Sequence, residues 1–386
     1  MNQIDNQLIV SFDPESKAYV MNELHGPGKM TMFQDLASGM MLIEYEMTFQ
    51  DVAAYFHLQR PVFIRHICPV YCSVAIADGL DMHLLKAQIH QIKHKLDKAV
   101  PFSIQTRKKC KNKERHPAVF DINNDIANML EKDGYILDVK QPAQVVSIAL
   151  TDEYIYIGIS KTEQNLSNWG GGMRRFAREE TQISRAEFKL LEAFEVFGAE
   201  NPLMRNMLSE AVTSRTSTKA PLLALDLGAA PGGWSRMLLH LGFHVVAVDP
   251  AKLDKRLDAV RGSIAGDEKL FTNNFAEKQA AIYYQMKAAE FFEQIANAHV
   301  SDDNGMFDIV VNDMRMDYME SVHTMLQARQ YIKNGGIGMM TLKLFPGEMQ
   351  RSVNKAIKML AEEYVIIGAR QLFHNRNEVT VVLHNT

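Results

Sequence analysis

The run Asp226-Leu-Gly-Ala-Ala-Pro-Gly-Gly-Trp234 constrains the fold of this 386-residue chain more than any other segment. An apolar run at 222–225 precedes it and a helix-like segment at 235–241 follows it, which predicts a strand, a glycine turn and a helix. Such a turn lets a ligand approach the backbone at the N-terminus of the helix. The next apolar run ends in Asp249, and a carboxylate at a strand tip suits the hydroxyls of a ribose. We therefore expect a nucleoside-containing cofactor at this turn.

The glycine pattern excludes two common phosphate-binding motifs. Ala230 stands where the dinucleotide fingerprint needs glycine, and Trp234 stands where a P-loop has its lysine. A turn that lacks a phosphate-binding motif and is flanked by two acids, Asp226 and Asp249, favours a cofactor that carries no phosphate. S-adenosylmethionine is the common cofactor of this kind. The alternative is an ordinary strand–helix turn. The predicted cofactor contacts of this segment are Asp226, Gly228, Ala230, Pro231, Gly232, Gly233, Trp234 and Asp249.

The order of strand-like and helix-like runs divides the chain into four parts. We expect an α+β domain at 1–70, a second α+β module at 71–160, a connector at 161–180 that Gly170-Gly-Gly172 makes flexible, and an α/β domain at 181–386. The second module includes a predicted strand at 136–139. In the last part the runs predict a helix and then a loop at 276–297, and strands at 222–226, 244–249, 307–312, 337–343, 364–370 and 378–383.

Composition and charge bound the class of protein. Apolar residues make up 47% and charged residues 23%, as in globular proteins, and no apolar run is long enough for a membrane span. Three cysteines, Cys68, Cys72 and Cys110, cannot all pair and do not form a zinc pattern, so we expect reduced thiols in a cytoplasmic protein without a metal site. Nothing in the sequence indicates an obligate interface, so we expect a monomer.

Basic residues are concentrated in two segments, although the whole chain has a net charge of −4. Residues 107–116 hold six basic residues and one acid, and a second basic segment spans 173–178. Each segment alone fits a solvated loop, but beside a nucleoside-cofactor turn the two favour RNA as the partner. Trp169 or Phe176 is predicted to stack on a splayed base, or else to pack a domain junction. The other predicted RNA contacts are Arg107, Lys108, Lys109, Lys111, Arg174, Arg175 and Arg178.

Ionisable residues lie at the ends of three predicted strands. Asp313 follows one strand, Lys343 ends the next, and Glu378 opens the last. Ligands of open α/β sheets bind beyond the carboxyl ends of the strands, and the start of an antiparallel last strand lies at the same edge. A capping-box spacing at 184–187 also predicts a helix from residue 184, with Lys189 off its buried face.

These segments resemble the FtsJ-like RNA 2′-O-ribose methyltransferases, whose hallmark is a Lys-Asp-Lys-Glu tetrad. The matching segments are Arg185-Ala-Glu-Phe-Lys189-Leu, Val311-Asn-Asp313-Met, Leu342-Lys343-Leu and Arg376-Asn-Glu378-Val, in the order of the family. From about residue 60 onward, the chain looks most like bacterial members that methylate a cytidine ribose of 23S ribosomal RNA. The resemblance implies a THUMP-type RNA-binding module at 71–160 after a ferredoxin-like start. It also implies a Rossmann-like catalytic domain with a mostly parallel seven-stranded sheet and an antiparallel last strand.

The resemblance also implies roles for the tetrad. Lys343 would take the proton of the 2′-hydroxyl, or instead orient a lone pair of its oxygen. Lys189 would act as a neighbouring cation, and Asp313 and Glu378 would hold the lysines and the ribose. In the family an acid after the third strand contacts the adenine amino group; here the corresponding stretch is 271–275, and the amide oxygen of Asn274 would accept that hydrogen bond.

Missing features narrow the reaction. Residues 312–315 lack the Pro-Pro-aromatic turn of base-amino methyltransferases, and the last cysteine, Cys110, lies far upstream of the region where pyrimidine-carbon methyltransferases have their nucleophile. Methylation of a ribose oxygen of ribosomal RNA is therefore the leading hypothesis. The alternatives are the same reaction on transfer RNA, and a non-catalytic RNA-binding or ribosome assembly factor, against which the intact tetrad argues.

Overall fold

The structure is a computed structural model that describes residues 5–76, 79–111, 113–214, 221–257, 259–261, 281–297, 306–345 and 347–386. Its internal contacts divide the chain into two compact units, residues 1–174 and 175–386. The finer four-part division stays a prediction. Over the ranges given above, no helix has both the length and the apolar character needed to span a membrane.

The first sheet of the N-terminal unit is antiparallel throughout. Its strand order is β2-β3-β1-β4, and its chain order is βαββαβ, which is the connectivity of a ferredoxin-like fold. Buried apolar residues from β1, β3 and both helices fill its core. The elements are β1 Gln7–Phe12, α1 Lys17–Leu24, β2 Met30–Ala37, β3 Met40–Tyr45, α2 Phe49–Gln59 and β4 Ile64–Pro69.

The second sheet of this unit has the order β5-β8-β7-β6, with β6 and β7 parallel. Two amphipathic helices cover it and bury Ile89 and Ile126 in one core. The predicted strand at 136–139 was wrong: only Leu137 makes an isolated bridge, to Phe102, because Ile136 and Val139 point to solvent. The elements are β5 Cys72–Ala75, α3 Met82–Ile92, β6 Phe102–Lys108, α4 Val119–Lys132, β7 Gln144–Leu150 and β8 Tyr154–Lys161.

The three glycines after Trp169 are packed rather than flexible. Residues 170–172 form a 3₁₀ turn, and a Cβ on Gly171 would lie 2.3 Å from the guanidinium carbon of Arg107. Gly171 also has a φ of +66°, which disfavours a side chain. Close approach to Arg107 therefore explains the glycine better than the predicted flexibility does.

The C-terminal unit is a Rossmann-like α/β fold. Its eight strands have the order β11-β12-β10-β9-β13-β14-β16-β15, and all run parallel except β16, which is antiparallel to both its neighbours. The antiparallel last strand confirms the prediction. The sheet has one strand more than the predicted seven, because the short β11 adds to β12 at the edge.

In this unit, helices lie between most of the strands in chain order. The elements are α5 Glu187–Glu200, α6 Pro202–Ser214, β9 Leu223–Leu227, α7 Gly233–Leu241, β10 His244–Val248, β11 Ala259–Arg261, β12 Ala281–Tyr284, α8 Ala288–Asn297, β13 Phe307–Asn312, α9 Tyr318–Ala328, β14 Ile332–Lys343, α10 Met349–Leu360, β15 Val365–Arg370 and β16 Glu378–His384.

Two predicted helix boundaries were wrong. Within 276–297, residues 281–284 form β12, and the helix α8 begins only at Ala288. All four residues of β12 are buried, and a short apolar run without alternation does not distinguish a buried parallel strand from a helix. Helix α5 begins at Glu187 rather than at residue 184, because residues 185–186 form a turn before it.

Candidate active site

Strand register brings three of the four predicted tetrad residues to one edge of the sheet. Lys343 at the end of β14 lies directly opposite Glu378 at the start of β16. Asp313 follows β13, which pairs with β14 in parallel. The turn after β13 is held by Asn312, whose side chain accepts from the Met314 amide at 3.0 Å.

The tetrad forms one network of ion pairs. Lys189 Nζ lies 2.6 Å from Glu378 Oε2 and 3.3 Å from Asp313 Oδ1. Lys343 Nζ contacts Asp313 Oδ1 and lies 3.0 Å from Glu378 Oε1. Each of the four side chains is between 15% and 19% exposed, so the network is recessed but open to a substrate.

Thr341 is a further member of this network that was not predicted from the sequence. Its hydroxyl donates to Asp313 Oδ1 at 2.5 Å and accepts from Lys343 Nζ at 2.7 Å. Residues two apart in a strand share a face, so the period of β14 was the signal that could have identified it.

Each carboxylate contacts both lysines, and this decides the charge state of the network. Burial alone would lower the pKa of Lys189, but Asp313 and Glu378 outweigh it, and the pKa is raised. Burial would likewise raise the pKa of Asp313, but Lys343 and Lys189 outweigh it and hold the pKa below its usual value. Lys189 and Asp313 are therefore ionised at neutral pH.

Helix α5 places Lys189 in the network because its start is tied to α7. The Trp234 indole donates to the Ala186 carbonyl at 2.7 Å. The Glu187 carboxylate, 1% exposed, accepts from the Ile183 amide at 2.6 Å and pairs with Arg236 at 2.8 Å. Only half of the predicted capping box is present, since the side chain of Glu187 bonds back to the backbone but the N-cap makes no side-chain bond.

The glycine turn after β9 lies against the tetrad. Gly228 has a φ of +76°, and a Cβ there would lie 2.4 Å from the side chain of Met314, which follows Asp313. Gly232 precedes α7 with a φ of +113°. The predicted contacts Ala230, Pro231 and Gly233 complete the same turn at the N-terminus of α7.

The two predicted acids of the turn have different environments. Asp226 is 1% exposed, and burial raises its pKa to about 7, although a 2.6 Å hydrogen bond from the Ser235 hydroxyl opposes the shift. Asp249 is only half-buried at the tip of β10. Its two carboxylate oxygens accept from the amides of Ala230 at 3.0 Å and Ala251 at 2.7 Å. Asp249 is thus held at the surface of the turn.

The predicted adenine contact falls outside the residues that the structure describes. Asn274 lies in the segment 262–280, and the strand that pairs with β10 on the side away from β9 is β12, which begins seven residues later in the chain. The polar residue directly after that strand is Gln285, whose side-chain amide donates to the Pro250 carbonyl at 3.2 Å. By its place in the sheet, Gln285 is the better candidate for this contact.

The predicted RNA contacts of the N-terminal unit fall into two groups. Arg107 was wrongly placed in an exposed loop: β6 extends to Lys108, and the guanidinium points inward to the Ser11 hydroxyl. Burial and the nearby Arg107 charge lower the pKa of His66 to about 3. Lys108 also turns back, and its Nζ donates to the His116 carbonyl at 2.9 Å.

The remaining basic residues of this unit lie nearer the surface. Lys109 Nζ donates to the Ser38 carbonyl at 3.0 Å, and Lys111 is exposed. The Arg174 guanidinium lies 5.3 Å from the centre of the Trp169 ring, a cation–π contact that leaves the ring half-buried. Trp169 therefore already has a planar cation on its ring.

In the C-terminal unit, Arg175 and Arg178 are exposed on either side of Phe176. The Phe176 ring stacks on Phe188 at 5.5 Å and contacts His374 at the same distance. Phe176 therefore packs within this unit, which agrees with the alternative that its ring serves packing. These contacts hold the basic segment next to α5.

Comparison with known proteins agrees with this geometry. The sequence profile of the FtsJ-like methyltransferases matches residues 182–374, half of the chain. A protein of Aeromonas hydrophila named Ribosomal RNA large subunit methyltransferase M is 26% identical over 241 residues, which are 61% of this chain and 56% of that protein. The protein of the same name from Cellvibrio japonicus is 33% identical over 122 residues, 31% of each chain.

The chain spans about half the length of the curated relatives it matches. Among solved structures, TrmN from Thermus thermophilus aligns over 98% of this chain and 99% of that chain, with 14% identity and a TM-score of 0.36. The profile match covers the glycine turn and three of the four tetrad residues, with Glu378 four residues beyond its end. The chain belongs to the FtsJ-like methyltransferase family.

Proposed function

We propose that this chain transfers a methyl group from S-adenosylmethionine to a ribose 2′-hydroxyl of large-subunit ribosomal RNA. The observation that carries the proposal is the network of Lys189, Asp313, Lys343 and Glu378 beside the glycine turn. The names of the two bacterial relatives support ribosomal RNA as the substrate.

The residues of the turn fit S-adenosylmethionine. Each oxygen of Asp249 accepts one backbone amide and keeps a lone pair for a ribose hydroxyl. Residues 226–234 include no basic side chain to bind a phosphate, and the turn ends at the N-terminus of α7, whose backbone amides can bind a ligand. When bound, this cofactor supplies an electrophilic methyl group.

Lys343 is proposed to orient the substrate hydroxyl. Its ammonium group meets three acceptors, on Asp313, Thr341 and Glu378, and these match its three donors. A 2′-oxygen that replaces one of these acceptors would be held with a lone pair directed away from Lys343. Positioning of this kind supplies a large part of the rate of a displacement reaction.

Glu378 is the better candidate for the acceptor of the hydroxyl proton. Asp313 accepts from Thr341, Lys343 and Lys189, which together hold its pKa below the usual value, whereas Glu378 has one lysine as the ion-pair partner of each oxygen. Formation of the oxygen–methyl bond makes the hydroxyl proton strongly acidic, so a carboxylate is a sufficient base.

The basic residues of the two units are proposed to bind RNA separately. Lys109 and Lys111 would contact phosphates from the N-terminal unit, which by resemblance is THUMP-type. Arg175 and Arg178 would contact phosphates near the tetrad, because the stacking of Phe176 holds their segment beside α5. We also propose that the protein is a monomer and is located in the cytoplasm, as expected from the sequence.

The experiment is methyl transfer in vitro to large-subunit RNA from cells that lack the gene. Labelled methyl from S-adenosylmethionine is expected in alkali-stable dinucleotides, because a 2′-O-methyl group removes the hydroxyl that alkaline cleavage needs. Lys343→Ala should abolish incorporation and still bind S-adenosylmethionine in calorimetry. Lys355→Ala, an exposed lysine on α10, serves as the matched control.

The same assay separates the alternatives. Incorporation only into the transfer RNA pool would move the substrate to transfer RNA. No incorporation into either pool, together with no heat of S-adenosylmethionine binding, would support the non-catalytic assembly factor and refute the proposal.

A further inference from the structure

Four exposed residues flank the tetrad members along the chain, and we call them the rim. Each lies within four residues of a tetrad member along the chain, and three of the four are arginines. The pairs in chain order are Arg185 with Lys189, Arg315 with Asp313, Phe345 with Lys343, and Arg376 with Glu378.

The topology places the rim at one edge of the sheet. The loops after β13 and β14 leave this edge, and the loop before β16 returns to it because β16 is antiparallel. The Leu344 amide donates to the Asn377 carbonyl at 2.9 Å, which joins the loops of Phe345 and Arg376. The indole bond from α7 to the Ala186 carbonyl holds the neighbouring Arg185 at the same edge.

The rim carries positive charge that no acid neutralises. Among the residues that the structure describes, the guanidinium groups of Arg185, Arg315 and Arg376 make no hydrogen bond or ion pair. Asp317, two residues after Arg315 in the chain, accepts from the Met319 amide at 2.8 Å as the cap of α9. The tetrad itself is balanced, with two lysines and two carboxylates. The rim therefore favours polyanions in a chain whose net charge is −4.

The fourth residue of the rim, Phe345, has an apolar aromatic ring instead of a positive charge. Its side chain is 68% exposed, two residues after the lysine that would hold the 2′-oxygen. Exposed apolar residues are common singly, but a nucleotide with its ribose at the tetrad brings an aromatic base and two phosphates to these same loops. Aromatic side chains stack on bases that are not paired, and arginines bind the phosphates.

We infer that the methylated nucleotide is unpaired when it is bound, with its base stacked on Phe345 and its flanking phosphates on Arg315 and Arg376. The inference rests on the proposed function and adds the form of the substrate, a single-stranded RNA segment rather than a helix. In a helix the base is stacked between its own neighbours and presents no face to Phe345.

A blocking experiment tests the form of the substrate. Large-subunit RNA from cells without the gene is annealed to a complementary DNA oligonucleotide that covers the mapped methylation site, or to one that covers a distant site. We expect at least about a tenfold loss of methylation with the covering oligonucleotide and none with the distant one. Equal methylation of the covered site would overturn the inference. No methylation of uncovered RNA would instead refute the proposed function, and the inference with it.

Variants of Phe345 test the base contact directly. Phe345→Ala is expected to lower kcat/KM for RNA about 10- to 100-fold, mainly through KM, whereas Phe345→Trp keeps it within about threefold. Val365→Ala removes an exposed apolar side chain elsewhere in the same unit and serves as the control. Affinity for S-adenosylmethionine should be unchanged in all three. Wild-type kinetics of Phe345→Ala would overturn the assignment.

Salt dependence tests the phosphate contacts. Arg315→Gln and Arg376→Gln should each reduce the slope of log affinity for RNA against log salt concentration by about one. Arg351→Gln, an exposed arginine on α10, should leave the slope unchanged. Slopes equal to that of the wild type in both rim variants would show that these arginines do not contact phosphates.

Discussion

The buried carboxyl of Asp226 yields the most quantitative prediction, which concerns the pH dependence of stability. Asp226 ionises near pH 3.8 in an unfolded chain, but burial raises its pKa to about 7 in the folded unit. Between these values the folded protein holds a proton that the unfolded chain has released. The free energy of unfolding of the wild type therefore falls as the pH rises from about 4 to about 7, and then levels off.

The size of the effect follows from the two pKa values. Each pKa unit corresponds to about 1.4 kcal/mol, so ionisation of Asp226 costs about 4 kcal/mol above pH 7. Between pH 5 and pH 8 the cost grows by about 3 kcal/mol. Asp226→Asn removes this titration and retains an oxygen that can accept from Ser235. Relative to the wild type, the variant should gain about 3 kcal/mol over this interval.

Urea unfolding followed by tryptophan fluorescence measures this difference. The chain has two tryptophans, and Trp234 is buried at the start of α7, near Asp226. A Trp169→Phe background leaves Trp234 as the reporter of the C-terminal unit. Comparing two pH values cancels any constant effect of the substitution. Parallel pH profiles of Asp226→Asn and its parent would refute the raised pKa of Asp226.

Three further substitutions test how the site is held together. Glu187→Ala should lower the free energy of unfolding by about 2–4 kcal/mol, because it leaves the amides of Ile183 and Ser184 without an acceptor and Arg236 with Glu179 as its remaining ion-pair partner. Urea unfolding measures the loss, and a value below about 1 kcal/mol contradicts the network. Gly228→Ala should weaken S-adenosylmethionine binding at least about tenfold in calorimetry, because the new Cβ displaces Met314; unchanged binding would show that the turn adapts. Trp234→Phe should lower kcat severalfold at constant cofactor affinity, because it removes the hydrogen bond from the indole to the Ala186 carbonyl that ties α7 to the start of α5. An unchanged kcat would show that this hydrogen bond does not contribute to catalysis.

The tetrad was predictable because its geometry follows from a general rule of the fold. The carboxyl ends of parallel strands meet at one edge whatever their separation in sequence, and this brings Asp313 to Lys343. Glu378 lies at the same edge because β16 is antiparallel to β14, so that its first residue is opposite Lys343. Lys189 was identified only by family resemblance, since its place depends on the contacts between α5 and α7, which no local pattern contains.

The failures of the sequence analysis share a physical cause, which is long-range packing. Arg107 belongs to a basic run, yet β6 continues through it and directs its side chain to Ser11, 96 residues away. The glycine at 171 suggests flexibility, but it is needed for contact with that same arginine. Strand β12 is buried on both faces, so its residues lack the alternation that marks a half-exposed strand.

The central claim is methylation of a ribose 2′-oxygen of ribosomal RNA by the tetrad, and nucleoside mass spectrometry tests it most directly. Ribosomal RNA would be compared from cells without the gene, complemented by the wild type, Lys343→Ala or Lys355→Ala. The account predicts that one 2′-O-methylnucleoside is missing and that the wild type and Lys355→Ala restore it, whereas Lys343→Ala does not. An unchanged profile in cells without the gene, or restoration by Lys343→Ala, would contradict it.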